Sequence, residues 1–205
     1  MKTANSVPSH LFITQPVTDA DTYPLLSKEE ILADAKKQAA QGILRYSIVT
    51  AGKALSDEEI DIMCGTIRQI RQETTLSVCV SFGLLTESQF RRLKDAGVSR
   101  VHNNLETSER HFPNICTTHT FADKVSAIQA AQQAGLTVCS GGIMGMGETM
   151  ADRIDMALAL RGLGITSVPV NVLNPIPGTP FGEYPTLSEE EVLRILALYR
   201  FLLPS

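Results

Sequence analysis

A chain of 205 residues, 43% hydrophobic and 20% charged, carries enough apolar side chain for one good core and too little length for two comfortable domains. Its formal charge of −4, with no lysine or arginine cluster, argues against a nucleic-acid surface and for a small-molecule partner. No apolar stretch is long enough to span a bilayer and the start does not read as a secretory signal, so no membrane partner is expected and the cytoplasm is the default location.

Taken in chain order, residues 1–21 read as an irregular segment ahead of a single folded region over 22–205. From Ile43 onward a short β-branched run, a polar turn, a capping residue and an apolar stripe at helical spacing recur, which is the grammar of βα units. The predicted strands are 43–49, 76–80, 98–103, 136–139 and 167–173. Helix starts carry a hydroxyl residue with an acid or amide three places on: Ser27/Glu30, Ser56/Glu59, Thr86/Gln89, Thr120/Asp123, Thr149/Asp152 and Ser188/Glu191. Helix stops fall at Gly42, Gly97, Gly135 and Gly164, where a residue without a β-carbon can take the left-handed conformation. The stripe Ile60, Met63, Ile67, Ile70 marks a buried helix face, and Cys64 beside it reads as core.

Strands alternating with helices imply a parallel α/β sheet, either closed as a barrel or open and doubly wound, with ligands at the carboxyl ends of the strands. Those ends bear Ser47 and Thr50, Cys79 and Ser81, His102, Asn104 and Glu106, Cys139 and Gly141, and Asn171 and Asn174. The polar rim is the candidate site. Between the fourth strand and its helix, residues 138–149 hold Gly141, Gly142, Gly145 and Gly147, a connection whose missing side chains would let a ligand reach the backbone. The four cysteines Cys64, Cys79, Cys116 and Cys139 are spaced too widely for a zinc pattern and are too few for a disulfide scaffold, so they read as reduced thiols. On composition alone, Cys79 and Cys139 are small hydrophobes filling narrow space; at matching depths on two strands they could also meet inside a barrel.

The segments Tyr23-Pro24-Leu25-Leu26-Ser27, Asn103-Asn104-Leu105-Glu106-Thr107-Ser108, Ile115-Cys116-Thr117-Thr118-His119-Thr120, residues 139–149 and residues 170–180 resemble the biotin synthase branch of the radical S-adenosylmethionine enzymes. The resemblance implies a partial TIM-type (β/α) barrel over 22–205, S-adenosylmethionine cleaved at a 4Fe-4S cluster, and sulfur inserted into a dethiobiotin-like substrate from an auxiliary iron–sulfur cluster. It makes Cys79 and Cys139 auxiliary-cluster ligands. Asn104 and Glu106 become contacts to ribose and ureido groups, with Glu106 where aspartate is usual, and Lys124 lies near the S-adenosylmethionine carboxylate. Asn171 becomes a dethiobiotin contact, while Gly141, Gly142 and Glu148 shape the S-adenosylmethionine pocket. Thiolates are the usual ligands of iron–sulfur clusters, a carboxylate can accept from both ribose hydroxyls, and an asparagine amide can donate to and accept from a ureido group.

Three departures from that pattern set expectations. No cysteine precedes Cys64, so residues 1–21 stand where the family carries its CxxxCxxC cluster loop, and the chain alone should not start the radical reaction. Ser47 stands at a position where the family usually has cysteine, which makes Cys116 a candidate replacement ligand, the alternative being an ordinary loop thiol. The chain ends one helix after its fifth predicted strand, against about 250 residues for a full barrel, so truncation at both ends is expected. Open sheet edges would also favour a homodimer. The alternatives are another radical barrel, such as a hydrogenase maturase or methylornithine synthase, and a non-catalytic remnant that binds S-adenosylmethionine or a partner.

Overall fold

The computed structural model describes residues 25–203; the segment expected over 1–21, the Tyr23-Pro24 part of the first motif and the last two residues lie outside them. The described chain divides into two compact units, one of residues 25–102 and 126–138, the other of residues 103–125 and 139–203.

The first unit contains α1 (Lys28–Ala40), β1 (Arg45–Val49), α2 (Asp57–Glu73), β2 (Ser77–Ser81), α3 (Glu87–Ala96), β3 (Val98–His102), most of α4 (Phe121–Gln133), and β4 (Thr137–Cys139) as far as Val138. Each helix starts where the sequence says it should. Ser27, Ser56 and Thr86 accept from the amide three residues on, and the Glu or Gln there returns to the cap amide. Each such cap stabilises its helix by about 1 kcal/mol. Gly42, Gly97 and Gly135 stop helices at φ 80°, 107° and 77°. Ile60, Met63, Cys64, Ile67 and Ile70 are buried along α2, which packs against α1 and α3.

The strands form a parallel sheet in the order β1-β2-β3-β4. Residues 43 and 44 were predicted as strand, but their side chains are exposed and β1 begins at Arg45, although the Leu44 carbonyl still accepts from the Ser77 amide. Tyr46 and Ile48 are buried, and the Tyr46 hydroxyl donates to Asp34 of α1 at 2.9 Å, so one face of β1 meets helix and Ser47 occupies the other.

The second unit holds the start of α4, a 3-10 turn at Phe112–Asn114, β5 (Gly142–Met144), α5 (Met150–Gly162), β6 (Val170–Val172) and α6 (Glu189–Leu202). Its apolar centre is Phe112, Ile115, Cys116, Ile143, Met146 and Phe181, with Phe121 and Leu173 packed on it. Two expectations are corrected here. The predicted strand 167–173 is paired as β6 only over Val170–Val172, with Ser167 bridging Cys139 singly; Pro169 between them has no N–H for a ladder. The connection 138–149 contains a strand, β5, paired in parallel with β6 so that Gly142 faces Val170 and Ile143 faces Asn171. Glycine lowers the local strand signal, and only the partner strand supplies what is missing.

Candidate functional site

In the first unit, parallel register places Ser47 opposite Cys79, and a shift between Val78 and Cys79 then places Cys79 opposite Arg100. Three adjacent strands thus carry a hydroxyl, a thiol and a guanidinium at one level. Cys79 is buried and Ser47 exposed. Arg100 was not foreseen, because its place opposite the thiol depends on the register shift and on no local pattern.

The second unit gathers the loop after β3 around two buried charged side chains, Glu106 and Lys124. Lys124 enters from the first turn of α4 and donates to Asn103 Oδ1 at 3.1 Å. Asn104 Oδ1 accepts from the Gly141 amide at 3.0 Å. Glu106 is held by backbone bonds on both sides, its amide donating to Gly141 and its carbonyl accepting from Ile143, with φ at 71°. That backbone conformation is uncommon for a residue with a β-carbon and is found most often where the surroundings over-determine it. Burial pushes the Glu106 carboxyl above its ordinary value, opposed by the Lys124 charge and a hydrogen bond with Asn104; burial likewise pulls Lys124 down, opposed by Glu106 and Cys116. Among the described residues, Glu106 Oε2 is buried without a hydrogen-bond partner, as are Thr107 Oγ1 and Ser140 Oγ. A buried carboxylate oxygen left unmatched is costly and fits a site that receives a donor from a ligand.

Two glycines of 138–149 admit close approach of the chain's own atoms. A β-carbon on Gly141 would lie 1.9 Å from the Pro169 carbonyl oxygen, and one on Gly142 would lie 2.3 Å from the Glu106 oxygen and 2.6 Å from the Met156 sulfur. On the side where a β-carbon would stand, the chain's own backbone and the Met156 side chain fill the space. Glu148 turns inward: its two oxygens accept from the Gly145 and Met146 amides at 2.8 and 2.7 Å, and Arg153 Nε donates to it at 2.7 Å. His111 pins the same turn through Nε2 at 3.1 Å from the Met146 carbonyl.

Cys139 is half-buried, and its sulfur accepts from the Ser167 hydroxyl at 3.3 Å. Cys116 is buried with its sulfur 3.4 Å from both Thr118 Oγ1 and His119 Nδ1. Asn171 lies exposed on β6. Among the described residues no three of His, Cys, Asp and Glu gather as a metal site. A cavity of about 440 Å³ in this unit is lined by Ser108, Glu109, Arg110, Phe121, Asp155 and Ala159, and by none of the residues proposed from sequence.

Residues 7–160 match the model of the Radical SAM superfamily, and residues 169–205 match the Biotin and Thiamin Synthesis associated domain. The chain belongs to the radical SAM superfamily. This radical SAM chain is 57% identical over 187 residues to a biotin synthase of Akkermansia muciniphila, covering 91% of the chain and 58% of that protein. It is 54% identical over 187 residues to one of Brachyspira hyodysenteriae, covering 91% and 56%. It therefore spans less than three fifths of the length of the curated relatives it matches. Among solved structures, methylornithine synthase superposes with a TM-score of 0.80 at 20% identity, covering 91% of this chain and 55% of that one. The FeFe-hydrogenase maturase HydG from Carboxydothermus hydrogenoformans superposes at 0.72 and 23% identity, covering 87% and 44%. These likenesses show the fold, parallel α/β of the radical SAM barrel type. No helix among the described residues is long and apolar enough to cross a membrane.

Proposed function

We propose that these residues are part of a biotin synthase, acting with S-adenosylmethionine to insert sulfur into dethiobiotin. The relatives' name, biotin synthase, supports biotin as the product. The observation that carries the site is Glu106 Oε2, buried with no hydrogen-bond partner among the described residues, on the same loop as buried Asn104 and with Lys124 opposing its shift. S-adenosylmethionine would supply a hydrogen-abstracting radical only on receiving an electron from a cluster that these residues do not hold.

In this reading Glu106 accepts from the ribose hydroxyls, Lys124 meets the carboxylate of the methionine moiety, and Asn104 positions the Gly141 amide. Asn171 contacts the ureido group of dethiobiotin, and Gly141, Gly142 and Glu148 fix the shape of the pocket wall. Cys79 and Cys139 act as thiolate ligands of an auxiliary iron–sulfur cluster, with Ser47 and Arg100 level with Cys79 and with Cys116 a further thiol. A catalytic 4Fe-4S cluster does not fit the residues present, since none of the four cysteines stands in a CxxxCxxC spacing.

Titration calorimetry tests the pocket. Glu106→Gln should weaken S-adenosylmethionine binding about tenfold, the size of a lost hydrogen bond to a charged group, and Asn171→Ala should weaken dethiobiotin binding. Parent-like affinity in Glu106→Gln would remove the carboxylate from the site.

A further inference from the structure

Arg153 is 5% exposed and bridges two carboxylates: Nε donates to Glu148 at 2.7 Å and Nη1 to Glu191 at 2.6 Å. Glu148 in turn holds the adjacent amides of Gly145 and Met146, where the backbone turns through φ 101° at Gly145 and 87° at Gly147. The other end of the relay lies on α6, in the segment that matches the Biotin and Thiamin Synthesis associated domain, while Glu148 and Arg153 lie in the segment that matches the Radical SAM model.

The helix caps show that this reach is not incidental. At Ser27, Ser56, Thr86, Thr120 and Thr149, the residue three places on folds back and accepts from the cap amide. Glu191 occupies that place in α6 and its own amide donates to Ser188 at 3.2 Å, yet its carboxylate goes to Arg153. A cap interaction is given up for an ion pair with a guanidinium buried in the chain, whose planar fork can serve two carboxylates at once. Tyr199 adds a second link from α6, its hydroxyl donating to the Arg153 carbonyl at 2.8 Å.

We propose that α6 sets the geometry of the 145–147 turn through the relay Glu191–Arg153–Glu148, so that Arg153 and Glu191 are positioning residues for the S-adenosylmethionine pocket. This rests on the function proposed above. Without Glu191, Arg153 keeps only one of its two anions, and the carboxylate that gathers the Gly145 and Met146 amides loses its fixed counter-charge.

The test is amide exchange by NMR on the full chain labelled at glycine and methionine nitrogen, together with titration of S-adenosylmethionine. Glu191→Ala should speed exchange at Gly145 and Met146 about tenfold relative to Gly142 and Met144 of β5 and should weaken S-adenosylmethionine by a similar factor. Glu191→Gln, which keeps an acceptor, should restore much of both. Tyr199→Phe removes an α6 contact outside the relay, so it should lower the melting temperature without singling out those two amides. Exchange at 145 and 146 that changes no more than at 142 and 144 in either Glu191 variant overturns the relay. A selectively loosened turn with unchanged affinity overturns the positioning role. A parent chain that takes up no S-adenosylmethionine, yet shows the selective loosening, upholds the relay and sinks the functional reading instead.

Discussion

Glu106 and Lys124 show what a buried pair costs and what it offers. Each is almost removed from water, and each is pushed by burial toward its neutral form while its partner opposes the push. For Glu106 the native state binds a proton more tightly than the unfolded chain, so its contribution to stability is present at low pH. That contribution is lost as pH rises from the ordinary carboxylate value through the raised one. Urea unfolding across that window should show stability falling with pH in the parent, and Glu106→Gln should flatten the slope; an identical slope in the variant would assign it elsewhere. Gly142 is decided at the same scale. Since a β-carbon there meets a backbone oxygen and the Met156 sulfur inside contact distance, Gly142→Ala should cost about 1–3 kcal/mol by overpacking, read as a lowered denaturation midpoint.

Among the elements, α2 is the one whose sequence and structure agree most fully, because a cap, a stripe and a length of 17 residues all point to one helix. Ile67 is fully buried at the middle of that stripe. Ile67→Ala should therefore cost about 2–5 kcal/mol in chemical denaturation. The same substitution at Ile62, which is 58% exposed on the far side of the helix, should fall within about 0.5 kcal/mol of the parent, as surface changes usually do. β5 is the opposite case. Three residues, one of them glycine, hold as strand because β6 lies in register beside them, and no stretch of sequence that short announces a partner lying 28 residues away.

At the scale of the whole chain, the thiols proposed as ligands are Cys79 of β2 and Cys139 of β4. Anaerobic reconstitution with iron and sulfide should load the parent chain, and either Cys79→Ala or Cys139→Ala should remove most of the bound iron and its absorbance. Unchanged iron and sulfide in both variants would refute the ligand assignment. Cys64→Ala serves as the control, since that thiol is buried on the α2 core face and should retain its metal load.

Much was legible from sequence: the parallel α/β class, the hydroxyl caps, the helix-stopping glycines and the buried face of α2. All of these follow from interactions within a few residues, such as an amide reaching a side chain three places away or an apolar repeat at one helical period, so local order alone determined them. The resemblance of scattered segments added the family and named Glu106, Lys124 and Asn104 as companions. Tertiary structure decided the rest. It showed that Gly141 and Gly142 make room for the chain's own backbone, that a register shift sets Arg100 opposite Cys79, and that Glu191 leaves its own helix cap for Arg153. Those outcomes depend on atoms brought together from positions tens of residues apart, where packing and desolvation, rather than local propensity, choose the partner.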